Sequence, residues 1–142
     1  GSVFIFGVGS SAWIIIRVKV SVKTSYSGTG EYGDVGGHHV HAKAGFKDDV
    51  NYDPKKGFSI SQNFMRDNGL DHNIMTSKQR ELFKSYMKWQ TNTLEEHTRI
   101  AREALKAGGA SDSMIDDLIN ASLRNLREQG VTAPTRIPWY SK

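Results

Sequence analysis

The sequence predicts an α+β fold, an N-terminal region of β-hairpin and strands followed by a helical C-terminal half. Three observations carry this prediction. Apolar runs and strict alternation fill the chain before residue 24, capped helical stripes fill it after residue 76, and no linker between them is long enough to divide domains. With 142 residues and no internal repeat, the chain reads as one domain with a real hydrophobic core. Within it, residues 1–35 form the β region, 36–110 the core, and 111–142 the last helix and an extended tail.

Residues 3–16 are the most apolar stretch, with Val3, Phe4, Ile5, Phe6 and Val8 followed by Ala12, Trp13, Ile14, Ile15 and Ile16. Glycines and serines interrupt it, and Arg17 ends it short of the roughly 20 residues a membrane helix needs. It also lacks the basic start of a signal peptide, so it reads as a buried β-hairpin. From Ile16 to Lys23, apolar Ile16, Val18, Val20 and Val22 alternate with Arg17, Lys19, Ser21 and Lys23, a strand with one wet, basic face. A glycine-rich loop continues to Gly36-Gly37.

Polar residues from Lys47 to Gly57, with Pro54, suit a surface excursion. Ser59 to Arg66 predicts a short helix stopped by Asn68-Gly69. Thr76 or Ser77 suits the cap of a longer helix carrying Leu82, Phe83, Tyr86 and Met87 on one stripe. Thr93, with Glu96 three positions on, has the capping-box pattern. The helix it opens turns Leu94, His97, Ala101 and Ala104 inward and stops at Gly108-Gly109. Ser111 or Asp112 opens the last helix, with Ile115, Leu118, Ile119, Leu123 and Leu126 inward and Gly130 at its end. The tail from Pro134 to Tyr140 is extended and pinned by its aromatics.

The chain has no cysteine, which excludes disulfides and thiolate metal sites and leaves imidazole, carboxylate and water as metal ligands. A net charge of +4 is mildly favourable for a polyanion. No G-x-S-x-G nucleophile elbow and no phosphate-cradling G-x-x-x-x-G-K-[ST] motif occurs.

The chemistry concentrates at Gly36-Gly37-His38-His39-Val40-His41, where three of the five histidines fall within four residues. Imidazole both ligates metals and moves protons near neutral pH. The preceding glycines permit a sharp bend or close approach to a ligand. His97, inward on its helix beside small Ala101 and Ala104, is the candidate partner from the helical half. Asn92 just before the Thr93 cap is a candidate to hold backbone beside the site. His72, after a turn signal, reads as exposed. Lys43 and the ridge Lys78, Arg80, Lys84 and Lys88 are candidate phosphate contacts. Strand alternation would put His39 and His41 on one face and His38 on the other, so a regular strand makes His39 and His41 the functional pair.

At Gly37-His38-His39, together with the Asn92–His97 segment and the helix ending Ala107-Gly108-Gly109, the sequence resembles HNH/endonuclease VII-like (His-Me finger) nucleases. Over roughly residues 36–110 it is most similar to their GHH-signature branch, found as C-terminal toxin domains of bacterial polymorphic toxins. The resemblance implies a ββα-metal-like finger and a metal-dependent DNase used in interbacterial competition. It implies a divalent metal, Mg²⁺ first, with Mn²⁺, Zn²⁺ or Ni²⁺ as alternatives. His38 and His97 would be metal ligands, His39 the general base with His41 in reserve, and Asn92 a structural asparagine. The implied partners are nucleic acid, DNA ahead of RNA, and a cognate immunity protein, with delivery from the producing bacterium into a target-cell cytoplasm. The interval from His39 to His97 is much longer than in a minimal finger, so either residues 47–90 are an inserted lobe or the pairing of these histidines is wrong. Two other readings stand beside it, a metal-independent RNase using His39 or His41 with His97 as acid and base, and a toxin that perturbs membranes through residues 3–16.

Overall fold

The computed structural model describes residues 2–8, 12–18, 26–86 and 91–140. Strands β1 (Ser2–Val8) and β2 (Ala12–Val18) pair antiparallel, from Ser2 opposite Val18 to Val8 opposite Ala12. This is the hairpin expected over 3–16. The alternation at residues 19–23, and the expectations for Met87 and Lys88, lie outside the described residues.

A second, three-stranded antiparallel sheet is made of β3 (Thr29–Glu31), β4 (His38–His39) and β5 (Phe58–Ile60), with β5 in the centre. One turn of helix, α1 (Tyr32–Val35), separates β3 from β4, and a short 3₁₀ turn at Lys43–Phe46 follows β4. All three residues of β5 are buried, and Ser59 is tolerated there because its hydroxyl donates to the Gly36 carbonyl. The helix expected over Ser59–Arg66 is therefore shorter: Ser59 and Ile60 are strand, and α2 spans Gln62–Asp67. Ser61 caps it, its hydroxyl accepting from the Phe64 N–H at 3.0 Å.

Helix α3 spans His72–Tyr86 and begins a turn earlier than the Thr76 or Ser77 cap expected. Asp71 is the cap, its carboxylate accepting from the Ile74 N–H at 3.0 Å. Both Asp and Ser/Thr cap well, and here the first available candidate is used. Helix α4 (Leu94–Ala107) follows the expected box, with Thr93 accepting from the Glu96 N–H at 3.2 Å. Helix α5 (Asp112–Glu128) is capped by Ser111, which accepts from the Met114 N–H at 3.3 Å.

The helices bury the stripes that their periodicity announces. Ile100, Ala101, Ala104 and Leu105 of α4, and Ile115, Leu118, Ile119 and Leu126 of α5, are inside. The main core joins Ala101, Ala104 and Leu105 of α4 and Ile115, Leu118 and Ile119 of α5 to Val40, Ile60, Phe64 and Met75. A second cluster of Phe83, Tyr86 and Ile100 receives Ile137 and Tyr140 from the tail. The tail is held by two backbone N–H groups, of Thr135 and Arg136, donating to the Gly45 carbonyl at 2.8 and 3.1 Å, and by an Arg136–Asp48 ion pair. The chain is thus an α+β fold with a small antiparallel sheet and a helical C-terminal half. Among the described residues no helix is long and apolar enough to cross a membrane.

Candidate active site

The histidine stretch is not a regular strand. Gly36 and Gly37 have φ of +64° and +83°, and β4 contains only His38 and His39, opposite Ile60 and Ser59. A Cβ on Gly37 would stand 2.0 Å from the Ile60 carbonyl oxygen, so only glycine lets the backbone meet β5 here. The bend leaves both His38 and His39 lining one cleft, while His41 turns into the interior. Replacement of Gly37 by alanine combines left-handed strain, about 1–2 kcal/mol, with an overpacking cost of about 1–3 kcal/mol. Urea denaturation of Gly37→Ala should show a loss in that summed range, and a change under 1 kcal/mol would contradict this account.

The cleft has a volume of about 350 Å³, within the range of small-ligand sites. His38, His39 and His72 line it together with Tyr32, Lys43 and Trp139. His38 is 4% exposed, and its Nε2 is buried with no hydrogen-bond partner. A buried acceptor or donor left unpaired costs free energy, so a ligand for that nitrogen accounts for the arrangement. Burial, then the nearby His72 and His39, push the His38 pKa down to about 3. It is therefore the neutral, metal-competent imidazole at pH 7.

His72 is the residue that sequence reasoning passed over. It opens α3, is half-buried, and its ring meets that of His38 edge-on with centroids 5.1 Å apart. With metal–nitrogen distances of about 2.1 Å, two imidazoles sharing an ion place their rings roughly this far apart. The signal available in the sequence was Asp71, which fits a helix cap as well as it fits a turn.

His39 has a forced tautomer. Its Nε2 lies 2.8 Å from the Pro54 carbonyl oxygen, which can only accept, so Nε2 carries the proton. Nδ1 is then the basic nitrogen. The ring stacks on Tyr32 at 4.3 Å and 22°, which fixes its plane. Burial lowers its pKa, the Pro54 hydrogen bond opposes that, and the Lys43 charge adds to the lowering. Gly57 makes room for this ring, since a Cβ there would stand 2.8 Å from His39 Cδ2.

Of the remaining candidates, Lys43 lines the cleft and the others do not. His97 does not line the cleft. It is 2% exposed among Phe46, Phe83 and Tyr86, at ring separations of 5.7, 4.9 and 5.9 Å. Its Nε2 donates to Asn92 Oδ1 at 2.7 Å, its Nδ1 is unpartnered, and burial pushes its pKa down to about 4. Asn92 is part of the α4 approach, where the Tyr86 hydroxyl lies 3.0 Å from Oδ1 and accepts from the Thr93 N–H at 2.7 Å. Lys43 faces the cleft, with Nζ 5.9 Å from the Tyr32 ring centroid. Arg80 lies over the Trp139 ring at 5.6 Å, Lys78 is ion-paired with Glu81 at 3.7 Å, and Lys84 is exposed.

His41 is 4% exposed, with Nδ1 2.6 Å from Ser122 Oγ and Nε2 2.9 Å from Thr98 Oγ1. This network ties β4 to α4 and α5. Burial first, then nearby His97, push the His41 pKa down to about 3. The folded pKa is below the ordinary 6.5, so the unfolded chain binds the extra proton between those values. The stabilisation is complete above pH 6.5 and is lost as pH falls toward 3. His41→Gln should reduce the slope of stability against pH between 6 and 4 by about 1.4 kcal/mol per unit. Chemical denaturation across that range checks it, and an unchanged slope would refute a neutral His41.

Among the described residues, no group of three or more His, Asp or Glu side chains is arranged to hold a metal by itself. His38 and His72 could supply two ligands, leaving water and substrate to complete the shell. Comparison with family models, with curated proteins and with solved structures returned no match.

Proposed function

We propose that this chain is a metal-dependent endonuclease, with β4, β5 and α3 as a ββα-metal-like finger. The observation that carries it is the buried, unpartnered Nε2 of His38, whose ring lies 5.1 Å from that of His72, beside a His39 whose tautomer is fixed by Pro54. In this reading His72 takes the ligand role that the resemblance implies for His97. His39 Nδ1 accepts the proton of the attacking water, whose oxygen bonds to phosphorus as the bond to the leaving sugar oxygen breaks. Lys43 sits where it can hold a phosphate oxygen. A divalent ion on His38 and His72 would stabilise charge developing on the phosphate and leaving oxygen. The two imidazoles suit Mn²⁺, Ni²⁺ or Zn²⁺ better than Mg²⁺, which prefers oxygen ligands.

The resemblance at Gly37-His38-His39 supports DNA as substrate, delivery into a target cell and a cognate immunity protein. A second reading has one observation in its favour, that no carboxylate is among the described residues lining the cleft. His39 and His72 would then act as base and acid on RNA, the 2′-hydroxyl being the nucleophile. Purified protein incubated with plasmid DNA and with total RNA, each with Mn²⁺, Mg²⁺ or EDTA, separates the two. Metal-restored DNA cleavage is expected. RNA cleavage that survives chelation would establish the second reading, and no cleavage in any arm would end both.

A further inference from the structure

Trp139 is placed in a way that folding does not require. It is the one non-glycine residue with positive φ, +68°, among the described residues, a conformation that bulky side chains avoid. The residue remains 43% exposed. The tail does not need it as an anchor, because Tyr140 packs on the Phe83–Tyr86–Ile100 cluster and Thr135 and Arg136 are bonded to Gly45. The strained backbone instead presents an indole at the cleft that holds His38, His39 and His72, which buried Pro138 also lines. The Arg80 guanidinium lies 5.6 Å from the ring centroid and Phe83 lies 6.1 Å from it, which steadies the ring.

The structure also gives the strand somewhere to go. His72 borders a second, polar depression lined by Gln62, Arg66 and Asn73. The two depressions share His72, so Trp139 and Arg66 border surfaces that meet at that residue. An exposed aromatic followed by histidines and a guanidinium matches alternating base and phosphate of a polynucleotide.

We propose that Trp139 is a stacking platform for an unpaired nucleobase next to the scissile phosphate, so that the substrate is single-stranded or locally opened nucleic acid. This rests on the nuclease reading of the cleft. A base inside a duplex is already stacked on both faces, and its ring becomes available to a side chain only after leaving the stack. Stacking on an indole is tolerant of sequence, so the platform selects strandedness rather than base identity.

The test measures binding without cleavage. His39→Ala protein is titrated into a short fluorescein-labelled oligothymidylate, and into a series carrying one abasic site at successive positions. Adding Trp139→Ala should weaken binding of the intact oligonucleotide by about 5- to 150-fold, and Trp139→Phe much less. One abasic position should cost the His39→Ala parent a similar factor and cost the Trp139→Ala protein nothing further. Equal affinity with and without Trp139, or equal losses for both proteins at every abasic position, would overturn the stacking role. Absence of any position effect in the parent would overturn it without relying on the variant. EDTA-sensitive cleavage by the unaltered chain alongside such a result would sink the platform alone. Absence of both binding and cleavage, with every nucleic acid tried, would sink the nuclease reading with it.

Discussion

His39→Ala should reduce phosphodiester cleavage by about 10²- to 10⁴-fold, the usual contribution of a positioned general base, while leaving the fold intact. The geometry separates the two effects. His39 is only half-buried, and its partners are the Pro54 carbonyl and the face of Tyr32, neither of which is a core contact. Its loss exposes a carbonyl that water can satisfy, so the thermal midpoint should move little. Initial rates of plasmid nicking and a thermal melt, measured on the same preparation, check both halves. A fully active His39→Ala protein would remove the proposed mechanism. His39→Gln should be as inactive, because glutamine can restore the bond to Pro54 but cannot take up a proton at neutral pH.

The second large effect distinguishes His72 from His97. His72→Ala should lower affinity for Mn²⁺ or Ni²⁺ by at least the roughly 10- to 100-fold seen when even an outer partner of a metal site is disturbed. His97→Ala should leave that affinity unchanged and destabilise the protein instead. Its imidazole fills space between Phe46, Phe83 and Tyr86 and donates to Asn92, so truncation leaves a cavity and removes one of the two donors to Asn92 Oδ1. A cost of about 2–4 kcal/mol is expected. Calorimetric metal titration and urea denaturation of the two variants give opposite patterns in this reading. If His97→Ala loses metal affinity with its stability intact, the pairing of His38 with His72 is wrong.

What could be read in the sequence was local. Helices α4 and α5 were legible with their caps, because Thr93, Ser111 and the 3.6-residue stripe all act within a few positions. The significance of Gly36-Gly37 was legible too, although not that Gly37 serves contact with the Ile60 carbonyl. Strand β5 was missed because it has three residues, all buried, and Ser59 breaks the apolar pattern. Only the Gly36 carbonyl, distant in sequence, makes that serine acceptable. His72 was misjudged for the same kind of reason. Its exposure depends on how α3 meets β4, a contact that no local pattern encodes. His97 had the stronger local signal, an inward position beside small residues. The structure uses that space for aromatic rings.

The Gly45 carbonyl accepts from both Thr135 and Arg136, and through this clasp residues ninety or so positions apart complete one wall of the cleft. Loop closure of that length contributes nothing until most of the domain is in place. A partly folded chain can therefore have its histidines and still lack Pro138 and Trp139. At its exposed Thr135 end the clasp belongs to the class of contacts that open before the core does. Catalytic competence would then be the last property gained in folding and the first lost under mild stress, a latency built into the chain without any partner.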